Sequence, residues 1–267
     1  MAMGKELKKY DYRYFDSIDQ MINFVGKTST NTSSGRTNDP EWSGSTTYEE
    51  AVTRVVRGDD ELVKMVRGFD KLDINVPVTG TRRRITTAVA GFAPHVPNYI
   101  AGVPNNMLWC KEEKVSKKVL TFVYGSNILG GVSVEDMAKV SARVLSCIMS
   151  LERKGYRVNL LVANVAYWHG CTGFVVKLKD AGQHLDPLKI AFPMISAAWN
   201  RRFGFKFREM CGWPSSSGMG SSQYGNDLRR WLAENNVKYD VAFGFHDAEH
   251  IQTIEELEKL FLKNIKK

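Results

Sequence analysis

Residues 119–133 read VLTFVYGSNILGGVS, and a long amphipathic segment follows without a break. VLTFVY is apolar and rich in β-branched residues, the pattern of a strand buried on both faces. GSNILGG is a small, glycine-rich turn. Beyond it Val134, Met137, Val140, Val144, Cys147, Ile148 and Leu151 recur at three- and four-residue steps, which predicts a helix from Ser133 to about Lys154 with a core-facing stripe. Ser133 is placed to cap this helix, Glu135 and Asp136 sit near the positive end of its dipole, and Gly155 ends it. A second β-prone run, YRVNLLVANV, comes next. Two parallel strands need a crossover of this kind between them. The chain is therefore predicted to be α/β, with a mainly parallel sheet and helices on both faces.

The remaining segments are read around that unit. FVVKLKD follows after the short interval AYWHGCTG and fits an antiparallel partner at or near a sheet edge. LKIAFPM (188–194) predicts a further strand, Ser196–Phe207 a helix, Asp227–Glu234 another helix, and Val241–Phe245 a strand. Thr253 and Glu256 have capping-box spacing and open a closing helix to Ile265. Upstream, residues 12–25 predict a short helix and residues 26–40 a polar loop. Thr46 and Glu49 predict a second capping box, with a helix stopped at Gly58 and another over Asp60–Val66. A Pro- and Gly-rich stretch follows, with short strands at Ile74–Val78 and Ile85–Val89. This divides the chain into an irregular α+β portion, 1–115, and an α/β core, 116–267.

Composition narrows the function classes. Four cysteines are scattered with no CxxC pair, so neither a disulfide framework nor a zinc site is expected, and a reducing cytoplasm is the simplest setting. No run of ~20 apolar residues is present, so no membrane span is expected. The start MAMGKELKKYDYRYFD lacks the apolar centre of a secretory signal. A net charge of +8 suits contact with nucleic-acid phosphates, and it equally suits solubility. Arg82, Arg83 and Arg84 form one basic run; Arg201 and Arg202 lie in AAWNRRFGFKFRE, which mixes cations with aromatics as nucleic-acid interfaces do. A solvated strand face and an amphipathic helix with inward aromatics are the bland readings of these two segments.

Ligands of open α/β sheets bind beyond the carboxyl ends of the strands. That makes Gly125, Ser126, Asn127, Gly130 and Gly131 candidate anion contacts, through successive backbone N–H groups and a helix N-terminus. The loop has neither a Walker Lys-Ser/Thr nor a GxGxxG run, and it also serves simply to join strand to helix. FGFHDAEH follows the last predicted strand and reaches the same edge; His246 and Asp247, with Glu249 and His250, could act as base or metal ligands, or form a solvated loop. No catalytic constellation and no cofactor motif can be defended from these residues.

The order of strand, glycine-containing loop, long helix, strand and antiparallel strand over residues 117–267 resembles a von Willebrand factor A-type domain. The metal-binding Asp-x-Ser-x-Ser run of such domains would fall on Tyr124, Ser126 and Ile128, where only the middle serine matches. The resemblance thus implies the architecture without the metal site. Separately, PEWSGSTTYEEAV, AGFAPHVPNYIAGVPNNM and LERKGYRVNLLV, in this order, resemble a protein family encoded in bacteriophage and prophage genomes. That resemblance implies a phage protein in the host cytoplasm and brings no reaction with it. The expectation is a non-catalytic binding module for a protein or nucleic-acid partner; the alternative is an enzyme acting on a phosphorylated or nucleotide substrate at the loop edge of the sheet.

Overall fold

The computed structural model describes residues 10–27, 47–67, 79–116, 119–127, 132–167, 171–212, 225–251 and 253–264. In chain order the elements begin with β1 (Tyr10–Phe15), α1 (Ile18–Val25), α2 (Tyr48–Arg57) and α3 (Asp60–Arg67). β2 (Thr79–Ala88), β3 (Ala93–Pro94), α4 (Val96–Ile100) and β4 (Met107–Ser116) follow. Then come β5 (Val119–Gly125), α5 (Val134–Arg153), β6 (Arg157–Tyr167), β7 (Cys171–Lys179) and α6 (Pro187–Ile195). A π-helix (Trp199–Gly204) runs into α7 (Phe205–Met210), and α8 (Gly225–Glu234), β8 (Val241–Gly244), α9 (Phe245–Ala248) and α10 (Ile254–Asn264) complete the chain.

These elements form two compact units. Residues 1–76 and 119–267 make the core unit, and residues 77–118 are an insertion within it. The expected division at residue 115 differs from this, because β1 and α1–α3 belong with the α/β elements. β1 pairs in parallel with β7, Tyr12 opposite Gly173 and Phe15 opposite Val176. The helix predicted over 12–25 is thus a strand followed by a shorter helix. Tyr12 packs edge-on against Trp231 at 5.3 Å, and Phe15 packs against Phe174 at 6.2 Å. Alternate residues of the strand therefore serve opposite faces, which a helical reading of the same aromatics could not show.

The core sheet has the order β1-β7-β6-β5-β8. β5 is parallel to both β6 and β8, with Tyr124 opposite Val162 and Phe243. β7 is antiparallel to β6, as its short connection requires, and lies next to the edge strand β1. On one face Leu228, Trp231 and Leu232 of α8 pack on Val123, Leu161, Val165 and Ala242. On the other, Phe261 of α10 stacks on Phe122 at 5.5 Å, and Tyr124 bonds to Ser141 of α5 at 2.7 Å. α3 and α6 pack on α5 in turn. The core stripe Val140, Val144 and Ile148 is buried, and so are Ser146 and Ser150, because α5 lies between the sheet and a further helical layer. Among the described residues no helix is long and apolar enough to cross a membrane.

Three local expectations change. The strand predicted at 188–194 is α6: Asp186 caps it by accepting from the Leu188 N–H at 3.1 Å, and Pro187 occupies its first turn. The helix start predicted at Thr46 lies outside the described residues; Thr47 is the N-cap and accepts from the Glu50 N–H at 3.0 Å. β8 stops at Gly244, and Phe245 already belongs to α9. The strand predicted at Ile74–Val78 lies outside the described residues. The insertion is a three-stranded antiparallel sheet, β2-β4-β3, whose described side chains are all partly or fully exposed.

Candidate functional site at the carboxyl edge of the core sheet

From β5 the chain crosses to β6 and β7 on one side, then returns to β8 on the other side of β5. The gap between the carboxyl ends of β5 and β8 is therefore a topological switch point, the place where open α/β sheets form a crevice. Gly125 and Gly244 are opposite one another there. A Cβ on Gly125 would lie 3.0 Å from Leu228 Cδ2 and 3.2 Å from the Gly244 Cα, so the close approach of these strand ends requires glycine.

The two residues after β5 are tied to β6. The Ser126 N–H and Oγ both donate to the Ala163 carbonyl, at 2.9 and 3.2 Å, and Asn127 Oδ1 accepts from the Val165 N–H at 2.6 Å. Asn164 Nδ2 reaches Ser126 Oγ at 3.3 Å and Asn200 Oδ1 at 3.0 Å. Arg208 donates to Asn164 Oδ1 and, at 3.4 Å, to Asn200 Oδ1. Ser126, Asn164, Asn200 and Arg208 thus form one buried hydrogen-bonded chain across the edge. The π-helix supplies Asn200, and Gly204 in its last position leaves room for the amides: a Cβ there would sit 2.7 Å from Asn164 Oδ1. Such widened turns often occur at functional sites.

Arg208 brings a positive charge to this chain, and three further cations in the same stretch of sequence are buried. Arg201, Arg202, Lys206 and Arg208 are all buried. The Arg201 and Arg208 guanidinium groups lie 5.1 and 5.5 Å from the Phe205 ring centroid, and Lys206 Nζ is 3.8 Å from that of Tyr48. Burial pushes Arg208 down to about 9, against the opposing influence of the Cys211 and Cys171 thiols. Burial lowers Lys206 as well, with Glu49 and Glu209 opposing. Arg201 and Arg202, expected as contacts to nucleic acid, lie in this buried stretch. In the insertion Arg83 is paired with Glu112 at 2.8 Å, both side chains exposed, and Arg82 stands opposite Glu113 in the β2–β4 register. Arg84 is exposed opposite Lys111.

On the β8 side, Asp247 is occupied as a cap: its Oδ2 accepts from the Gly244 N–H at 2.8 Å. His246 Nδ1 lies 2.9 Å from Glu249 Oε2, while exposed His250 meets the other Glu249 oxygen at 3.2 Å. Glu249, rather than Asp247, orients His246. The three-residue spacing from His246 to Glu249 was the available sequence signal, legible only once 245–248 is known to be a helical turn. The Tyr124 phenol is pushed well up by burial, with Asp247 adding to the shift and the Ser141 bond opposing it. Two buried polar atoms at this edge have no hydrogen-bond partner, Asn127 Nδ2 and His246 Nε2. Gly130 and Gly131 lie outside the described residues. Among the described residues no group of three or more His, Cys, Asp or Glu is placed to hold a metal ion.

Fold and site together define a mixed α/β protein with a polar, cation-rich carboxyl edge at a topological switch point. The chain belongs to the family described as Domain of unknown function (DUF7192), whose model matches residues 4–263. No curated protein and no solved structure matches it.

Proposed function

We propose that the protein binds a ligand carrying a phosphate or a comparable compact anion, seated at the carboxyl edge of the core sheet. The observation that supports this reading is the buried Arg208 guanidinium, bonded to Asn164 and Asn200 beside Ser126, with Arg201 at the same Phe205 ring. Guanidinium groups match phosphate oxygens with two parallel N–H bonds, and in a poorly hydrated site that attraction is far stronger than at a surface. A binding role fits an edge built from amides, a hydroxyl and cations, and it calls for no catalytic step. The three quoted segments support a bacteriophage protein, for which the host cytoplasm is the working compartment.

Titration calorimetry with inorganic phosphate and with a short single-stranded oligonucleotide tests the reading. Saturable phosphate binding, weakened at least tenfold in Arg208→Lys, is the expected result, with thermal unfolding checking that the variant is folded. Absence of phosphate binding at millimolar concentration overturns it. Oligonucleotide binding indifferent to Arg208→Lys, with no phosphate binding, would instead favour a surface nucleic-acid contact.

A further inference from the structure

Exposed apolar side chains are normally scattered over a protein surface, and a concentration of them at one place marks a contact with something else. Among the described residues, eight of the thirteen exposed large hydrophobic side chains fall within residues 85–109 of the insertion, with Phe92, Tyr99 and Ile100 exposed at 65, 67 and 79%. That stretch contains no Asp, Glu, Lys or Arg. Charge is held at the other end of the β2–β4 ribbon. Every rung from Thr81–Lys114 to Arg84–Lys111 carries a charged residue, and none from Ile85–Cys110 to Ala88–Met107 does. Residues 77–118 hold seven Lys and Arg against two Glu, a net +5 out of +8 for the whole chain.

We infer that this uncharged tip enters the surface of an anionic lipid bilayer, with the basic end of the ribbon held at the headgroups. Ile85 shares a rung with Cys110, so Ile85 and Trp109 point to opposite faces of the sheet, yet they are 62 and 51% exposed. A protein docked on one face would leave the other in water, whereas a bilayer surrounds a tip and covers both. Charge argues against a second copy of this chain, which would bring +5 against +5. An anionic leaflet attracts both parts, the lysines and arginines by charge and the apolar and aromatic side chains by burial. From Ala88 back to Arg84 the strand rises about 14 Å at ~3.4 Å per residue, so a tip at the acyl boundary keeps Arg84 and Lys111 among the headgroups. Entry stops at this interface, because the outer N–H groups of the edge strand β2 need water or headgroup partners.

Flotation of the full chain tests this with vesicles of phosphatidylcholine alone and of phosphatidylcholine mixed equally with phosphatidylglycerol, at low and high salt. The unaltered protein should bind the mixed vesicles at least ten times more tightly than phosphatidylcholine alone. The double variant Phe92→Ser, Ile100→Ser changes two exposed side chains and should weaken binding to the mixed vesicles at least tenfold, with thermal unfolding checking that it is folded. Mixed vesicles should also shift the tryptophan emission of the unaltered protein to the blue, and Trp109→Phe, which keeps an aromatic ring, should bind within a fewfold while losing part of that shift. Binding that high salt abolishes and the double variant leaves unchanged overturns the inference, since charge alone would then explain it. Absence of vesicle binding overturns it as well. A dimer in light scattering that the double variant returns to monomer would then assign the tip to a second copy.

Discussion

Gly125 and Gly244 stand opposite each other at the ends of β5 and β8, and a Cβ on either would press on the other's backbone, at 3.2 Å from the Gly244 Cα or 3.1 Å from the Gly125 carbonyl oxygen. Replacing Gly125 by Ala should therefore force the strand ends apart. Overpacking of this kind costs about 1–3 kcal/mol. Urea unfolding should show a midpoint lowered accordingly, with an unchanged slope.

Val144 is fully buried on α5. Val144→Asp would place an unpaired carboxylate there and should cost roughly 3 kcal/mol or more, a large share of a domain's total stability. Far-ultraviolet circular dichroism with thermal unfolding reads the outcome. A variant as stable as the unaltered chain would contradict the position of this helix between sheet and outer layer.

Alkaline stability should fall in a defined window. Burial, with Glu258 adding to it, pushes the Cys147 thiol up to about 12. The folded state then keeps a proton that the unfolded chain releases from about pH 9, so stability is fully present below pH 9 and is lost as pH rises toward 12. The limiting slope is about 1.4 kcal/mol per pH unit for one group. The buried Tyr124 phenol acts in the same direction, whereas Arg208, held down to about 9, gains stability above that pH. Cys147→Ala should make the decline of the urea midpoint between pH 9 and 11 measurably shallower.

Replacing Arg82, Arg83 and Arg84 together by Ala should change nucleic-acid binding little. Glu112 pairs with Arg83, so the run presents less positive field than its sequence suggests. Fluorescence anisotropy of a labelled oligonucleotide across a salt series should give a log–log slope altered by less than about one, against up to about three if each arginine met a phosphate.

β5, α5, β6 and β8 were legible because each carries an unbroken apolar run or a clean stripe. β1 was not, because its aromatics merge with the helical stripe of α1 directly after it. α6 was missed for a related reason: Ile190, Ala191, Phe192, Met194 and Ile195 are all buried, so the helix has no polar face to set a period. Its Asp186–Pro187 start was the cue that the apolar run masked. The loop residues Ser126 and Asn127 were picked out by the strand-to-helix pattern. Their link to Arg208 was beyond sequence reading, since Asn164 and Arg208 meet across many residues of intervening chain.

The described part of the insertion begins and ends side by side, because Thr79 at the start of β2 is the pairing partner of Ser116 at the end of β4. Paired Cα atoms in such a ladder are about 5 Å apart. The core sheet, β1-β7-β6-β5-β8, takes no strand from residues 79–116. The segment is thereby a self-contained hairpin module, a place where a reporter or a foreign loop could be spliced without removing a strand from the core sheet.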